Sequence, residues 1–111
     1  MSLLGTSPAL ACDLDAIPPE LRQAHQSTTE ALFAAAQATR ELPDGLALYF
    51  ANDGALLAQM AKFVAAEQLC CPFLSFHIRV EPGQGRSQLS LTGGPGVKAF
   101  LKSEFASLLR S

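Results

Sequence analysis

The stretch FLSFHIRVEPGQGRSQLSLT, residues 73–92, decides the fold. In its first half apolar residues occupy positions 74, 76, 78 and 80 and polar residues occupy the positions between them. Leu89 and Leu91 repeat this alternation in the second half. A period of two is typical of a strand with one buried face, and the Gly-Gln-Gly sequence between the halves indicates a chain reversal. The stretch therefore predicts an antiparallel hairpin with one apolar face.

The segment before this hairpin has the spacing of a helix. Apolar residues recur with a period near 3.6 from Ala55 to Cys71, after a candidate N-cap at Asn52 or Asp53. Pro72 ends the predicted helix, because proline disfavours helical angles at the preceding residue and donates no hydrogen bond. A second amphipathic helix is predicted after the hairpin, opened by Pro95 and running to the C-terminus.

The first half of the chain adds a helix and a strand. Residues 1–16 are predicted to be irregular, and a first helix is predicted from the prolines at 18 and 19 to about Arg40. The turn sequence at 43–45 leads into a strand over 46–50. The order α-β-α-β-β-α predicts a single two-layer α+β domain over residues 1–111, with a three-stranded antiparallel sheet and helices on one face.

Composition narrows the classes of function. Of the 111 residues, 49% are apolar and 16% are charged, and the formal net charge is −2. The basic residues are scattered, so a nucleic acid is not an expected partner. No apolar stretch is long enough to cross a membrane, and no basic residue precedes Arg22, so neither a membrane span nor a secretory leader is expected. A cytoplasmic location is predicted.

The clearest candidates for a chemical role in the sequence are its three cysteines, Cys12, Cys70 and Cys71. An odd number in a reducing compartment argues against a disulfide framework and favours thiol chemistry, metal binding or simple packing. Glu67 lies one helical turn before Cys70, where a carboxylate can take a proton, accept a hydrogen bond or bind a metal. A reading in which Glu67 is exposed and the cysteines pack as small apolar residues stays open.

The position of the cysteine pair favours metal binding over nucleophilic catalysis. The C-terminal end of a helix carries partial negative charge, which favours the thiol, whereas the charge of a bound metal drives deprotonation. Thiolates from all three cysteines would suit Cu(I) or Hg(II), while Zn would need a fourth ligand such as His25 or His77. His77 is predicted on the sheet face away from the helices. The sequence leaves open whether Cys12 reaches the pair.

Two motifs resemble those of a family of small, uncharacterised bacterial proteins. They are E-x-x-CCPF at 67–73 and L-x-L-T-G-x-x-G-x-K-x-F-L at 89–101. Some proteins that look like this occur near heavy-metal-responsive regulators of the mercury-resistance type. The resemblance implies a metal-linked role without naming an activity. The residues that match are Glu67, Cys70, Cys71, Pro72, Phe73, Gly93, Gly96, Lys98 and Phe100.

The leading hypothesis is a non-enzymatic binder or sensor of a soft metal ion. Cys12, Cys70 and Cys71 would supply the thiolates, with Glu67 and His25 as minor ligands or as supports for them. One alternative is a thiol-dependent enzyme or redox protein in which Cys70 is the nucleophile and Glu67 its base. The other is a homodimeric interaction module without chemistry, whose partner copy covers the open sheet face or an exposed helix stripe.

Overall fold

A four-stranded antiparallel sheet and three α-helices make up the part of the chain that the computed structural model describes, residues 10–83 and 85–109. None of the described helices is long and apolar enough to cross a membrane. The predicted α+β class is confirmed. In chain order the elements are a 3₁₀ turn at Leu14–Ala16, α1 at Pro19–Ala35, β1 at Ala38–Leu42, β2 at Gly45–Ala51, α2 at Gly54–Cys70, β3 at Ser75–Val80, β4 at Arg86–Thr92 and α3 at Val97–Glu104.

The sheet has the order β1-β2-β4-β3, with every neighbouring pair antiparallel. The predicted hairpin is present as the pair β3 and β4, in which Ile78 lies opposite Leu89. Leu89 also lies opposite Leu48 of β2, so the three residues cross the sheet on one face. A Cβ on Gly45 would overlap the Leu91 carbonyl oxygen, so this position of β2 accepts only glycine.

The fourth strand, β1, corrects the prediction of three strands. Helix α1 ends at Ala35 rather than near Arg40, and Gln37 N–H already donates to the Tyr49 carbonyl of β2. The turn predicted at 43–45 joins β1 to β2 as a hairpin. The strand was missed because its polar residues, Thr39 and Glu41 among them, face the same side as the apolar residues of β2 and give no apolar alternation.

Two chain segments also depart from the predictions. Helix α3 ends at Glu104 instead of reaching the C-terminus, and the N–H groups of Leu108 and Leu109 fold back onto the Phe105 carbonyl. Helix α3 begins after Gly96, because the φ of 88° at Gly96 lies outside the helical region. Residues 14–16 of the segment predicted to be irregular form the 3₁₀ turn, and residues 1–9, 110 and 111 lie outside the described part.

The helices cover one face of the sheet, as predicted, and leave the other open. Phe63 of α2 meets Phe76 of β3 edge-on, with ring centroids 6.4 Å apart. Cover is incomplete at the β3 edge, where Ile78 and Val80 remain 43% and 45% exposed. On the open face the guanidinium of Arg86 lies over the Tyr49 ring. The helices therefore cover the central strands, where Leu48 and Leu89 are buried, more completely than the β3 edge.

Candidate metal centre

The C-terminal end of α2 supplies two buried polar side chains. Glu67 and Cys70 lie on the helix face that also buries Met60 and Phe63, and they are 4% and 1% exposed. This stripe is the one predicted from the spacing, and it excludes the reading in which Glu67 is exposed. The side chain of Asp53 accepts from Ala55 N–H at the other end of the helix, which confirms one of the two predicted N-caps.

The helix ends at the cysteine pair. Cys71 N–H still donates to the Glu67 carbonyl at 2.8 Å, but its own φ and ψ of −126° and 69° leave the helical region. Pro72 requires this departure because it disfavours helical angles at Cys71. The change of direction brings the Sγ atoms of Cys70 and Cys71 to 3.6 Å, a separation at which one ion can contact both.

Cys12 reaches the pair, which the sequence could not establish. Asp13 N–H donates to the Cys70 carbonyl at 2.8 Å and holds the N-terminal segment against the end of α2. A disulfide joins Cys12 to Cys71 with Cα atoms 4.7 Å apart, and Cys70 is the free thiol. The expectation of three free thiols is thus corrected. The odd count of cysteines did not reveal that residues 59 positions apart meet here.

Glu67 also binds His25 of α1. The Nε2 atom of His25 lies 2.7 Å from Glu67 Oε1, and both side chains are more than nine-tenths buried. The His25 ring stacks on Phe63 with centroids 5.6 Å apart, and its Nδ1 is buried without a hydrogen-bond partner in the described chain. His25 therefore supports the carboxylate rather than facing the sulfurs directly. His77 is exposed on the open sheet face and does not join the cluster.

The Glu67 carboxylate lies at the centre of the cluster. Its Oε1 is shared between His25 and the Cys70 thiol, whose Sγ is 3.6 Å away, and its Oε2 lies 3.3 Å from Cys71 Sγ. The Cys70 thiol also donates to the Glu67 main-chain carbonyl at 3.5 Å. Each carboxylate oxygen thus faces at least one sulfur.

The surroundings of Cys70 favour its protonated form. Burial, followed by the negative charge of Glu67 and the hydrogen bond to it, raises the pKa of the Cys70 thiol to about 12 from an ordinary value of 9.0. At neutral pH Cys70 is therefore a thiol and a poor nucleophile. This finding weighs against the alternative in which Cys70 is a catalytic nucleophile with Glu67 as its base.

Four side chains form a cluster that could hold a metal ion. One ligand atom from each of Cys12, Glu67, Cys70 and Cys71 lies within 4.8 Å of all the others. Zinc–sulfur bonds of about 2.3 Å in a tetrahedral site place two sulfurs about 3.8 Å apart, close to the separation of Cys70 and Cys71. While Cys12 and Cys71 are bonded to each other, only Cys70 and Glu67 have free ligand atoms. The complete ligand set therefore requires the disulfide to be open.

A pocket of about 650 Å³ lies against the cluster. Cys12 and Cys70 contribute to its wall, and Cys71 does not. The remaining walls come from α1, the 3₁₀ turn, Glu67 of α2, and the end of α3 with the segment that follows it. Its lining residues are Cys12, Leu14, Arg22, Gln23, His25, Gln26, Thr29, Glu30, Glu67, Cys70, Glu104, Phe105, Ser107 and Leu108.

Searches against protein-family models, curated proteins and solved structures find no significant match to this chain. The resemblance to the bacterial CCPF family stays a prediction. Sequence reasoning proposed His25 but missed that its partner is Glu67. The available signal was the stripe of His25, Thr28 and Leu32, which marks a histidine on the buried face of α1.

Proposed function

We propose that the protein binds a soft metal ion when its three cysteines are reduced. Cys12, Cys70 and Cys71 supply thiolates, Glu67 supplies a carboxylate oxygen, and His25 holds that carboxylate in place. The observation that carries the proposal is the convergence of four ligand atoms within 4.8 Å, three of them on buried residues. Exposed acidic groups often cluster without binding an ion, whereas the carboxylate and two of the sulfurs are buried here, where water cannot neutralise the charges of their ionised forms.

Charge supports the same conclusion. Three thiolates and a carboxylate would place four negative charges in one buried region, with His25 as the adjacent basic group. Such a set is stable only when protons or a metal cation neutralise it. Burial and the charge of Glu67 raise the pKa of Cys70, so the neutral thiol is favoured there when no cation is bound. A bound cation reverses this preference, so binding must release protons.

The ligand types select the metal class. Thiolates are soft ligands, and a set of three sulfurs and one oxygen favours Cu(I) or Hg(II) over Mg or Ca. Zn is the borderline candidate, since it accepts three sulfurs with one further ligand in tetrahedral sites. In the predicted cytoplasmic location the disulfide would be reduced and the site available. The resemblance to proteins found near heavy-metal-responsive regulators also supports a metal-sensing role.

The test is a titration of the phosphine-reduced protein with Hg(II), Cu(I) or Zn, following absorbance and proton release. We expect one ion per chain and release of about three protons at neutral pH, because each bound thiol loses its proton. The oxidised protein is the matched control and should bind far more weakly. Wild-type affinity in Cys70→Ser or Cys71→Ser would refute the proposal.

Pro72 offers a second test. It ends α2 so that Cys70 is the last helical residue and Cys71 lies just beyond the helix. Pro72→Ala lets α2 continue, which would place the Cys70 and Cys71 side chains about 100° apart around the helix axis. We expect metal affinity to fall by about tenfold or more, with a smaller loss of folding stability. Pro82→Ala, at an exposed position after β3, is the matched control. Equal affinities in the two variants would count against convergence at the helix end.

A further inference from the structure

The two sulfurs of the disulfide differ in their accessibility. Cys12 is partly exposed and forms part of the pocket wall, whereas Cys71 is 0% exposed and does not line the pocket. A molecule in the pocket can therefore approach Cys12 Sγ, while Cys71 Sγ lies behind it against Glu67. Thiol–disulfide exchange depends on which sulfur can be attacked. This difference makes Cys12 the half of the disulfide that a molecule in the pocket can reach.

We propose that the pocket beside α1 binds a small amino-acid or peptide thiol, which opens the disulfide by attack on Cys12. In the first step the incoming sulfur bonds to Cys12 Sγ and the bond from Cys12 to Cys71 breaks. The electron pair passes to Cys71, and the proton lost by the incoming thiol ends on that sulfur. A second small thiol then attacks the mixed disulfide at the small molecule's sulfur. The products are a Cys12 thiol and a small-molecule disulfide, so the protein gains two electrons and the small thiols lose two.

The shape and charge of the pocket fit this class of ligand. Its volume of about 650 Å³ is within the range of small-molecule sites. Arg22 donates to the Ile17 and Asp15 carbonyls, and its Nη2 lies 3.8 Å from the exposed Asp15 carboxylate, a loose contact that a ligand carboxylate can replace. Glu30 and Glu104 offer carboxylates to an ammonium group. An amino-acid thiol carries both charges, whereas a neutral thiol can use neither contact.

The product of the first step also has a favourable environment. Cys71 Sγ lies 3.3 Å from Glu67 Oε2, so the new Cys71 thiol can donate a hydrogen bond to the carboxylate. Cys70 already makes the equivalent contact to Oε1. Glu67 therefore accepts both thiols of the pair once the disulfide is open. This reaction does not depend on metal binding.

The experiment treats the oxidised full chain with glutathione in a buffer that contains a metal chelator. Acid quenching at short times and peptide mass mapping locate the mixed disulfide. We expect glutathione on Cys12 alone and a rate that saturates with glutathione concentration. The rate with neutral mercaptoethanol should rise linearly over the same range.

Gln26→Trp tests the pocket itself. Gln26 is exposed and lines the pocket, so the larger ring should narrow the entrance without entering the core. We expect glutathione to react about tenfold more slowly, equivalent to roughly 1.4 kcal/mol of lost binding. Gln68→Trp, at an exposed position of α2 outside the pocket, should react like wild type. Circular dichroism verifies that both variants fold.

Three outcomes would overturn the proposal. Glutathione on Cys70 or Cys71 would show that the accessible sulfur is not Cys12. A rate linear in glutathione, or equal rates for folded Gln26→Trp and Gln68→Trp, would show that the pocket does not bind the thiol. Because no metal takes part, none of these results bears on the metal titration.

Discussion

Two glutamates each link two secondary-structure elements through ionic contacts, but one of them is exposed and the other is buried. Glu41 of β1 is exposed and forms ion pairs with Lys98 and Lys102 of α3 at 3.1 and 2.9 Å. Glu67 of α2 is buried and holds His25 of α1 at 2.7 Å. Exposed pairs are weakened by water and salt, whereas a buried polar group that loses its partner cannot recover one from solvent. We therefore expect burial, rather than the number of ionic contacts, to set how much stability is lost when each glutamate is removed.

The same contrast appears in the pKa values of neighbouring groups. Hydrogen bonds and charge from Lys102 and Lys98 lower the pKa of Glu41, a group that stays in water throughout. At the buried site the group with the shifted pKa is the Cys70 thiol. Burial and the charge of the Glu67 carboxylate raise that pKa. At the exposed site only the pKa of the Glu41 carboxylate itself is shifted. The buried site determines the protonation of a potential metal ligand.

The largest effect is expected when the disulfide beside Glu67 is reduced without metal. A link between cysteines 59 residues apart stabilises by about 4 kcal/mol in the chain-entropy treatment. Urea unfolding of oxidised and phosphine-reduced protein measures the difference. The Cys12→Ser variant, which lacks the link from the start, should match the reduced protein. Equal midpoints for oxidised and reduced protein would contradict this prediction.

Glu67→Ala should come next. It leaves His25 with neither ring nitrogen hydrogen-bonded within the buried core, at a cost of about 3 kcal/mol in the free energy of unfolding. The partner experiment is Glu41→Ala, for which we expect no measurable change because water replaces its lysines. Urea unfolding of both variants at pH 7 makes the comparison. Similar losses in the two would break the contrast between the sites.

Alkaline pH should destabilise the protein through Cys70. Its pKa is raised to about 12, so the folded chain keeps a proton that the unfolded chain releases above pH 9. Stability is therefore fully present below pH 9 and declines as pH rises toward 12, with a loss of about 1.4 kcal/mol by pH 10. Oxidised Cys70→Ser lacks this contribution. Unfolding at pH 8 and 10 should show a smaller loss in the variant than in wild type.

The smallest effect concerns Glu41→Gln. Its lowered pKa means that the contribution of the ion pairs is present above the ordinary carboxyl pKa and is lost as pH falls through the lowered value. Because the group is exposed, we expect the thermal midpoint at pH 7 to stay within experimental error of wild type. Any difference at low salt should vanish in 1 M salt. A midpoint shift comparable to that of Glu67→Ala would reverse the comparison.

Local patterns predicted much of this structure. The alternation at 74–80 gave the hairpin, and helical spacing placed Glu67 and Cys70 on the buried face of α2. Strand β1 was not predictable in this way, because an alanine-rich run continues the composition of α1 and the strand itself is polar. The contacts of Cys12 with Cys71 and of His25 with Glu67 join distant parts of the chain. Periodicity carries no information about such distances, which depend on how α1 packs on α2.

The disulfide also divides the chain in a way that the sheet does not. The covalent ring from Cys12 to Cys71 encloses α1, β1, β2 and α2, while β3, β4 and α3 follow it. Strand β4 nevertheless lies inside the sheet, between β2 and β3. A single proteolytic cut between β1 and β2 would leave both fragments linked in denaturant. A cut between β3 and β4 would release the C-terminal fragment, because only non-covalent contacts hold the central strand β4 to the ring.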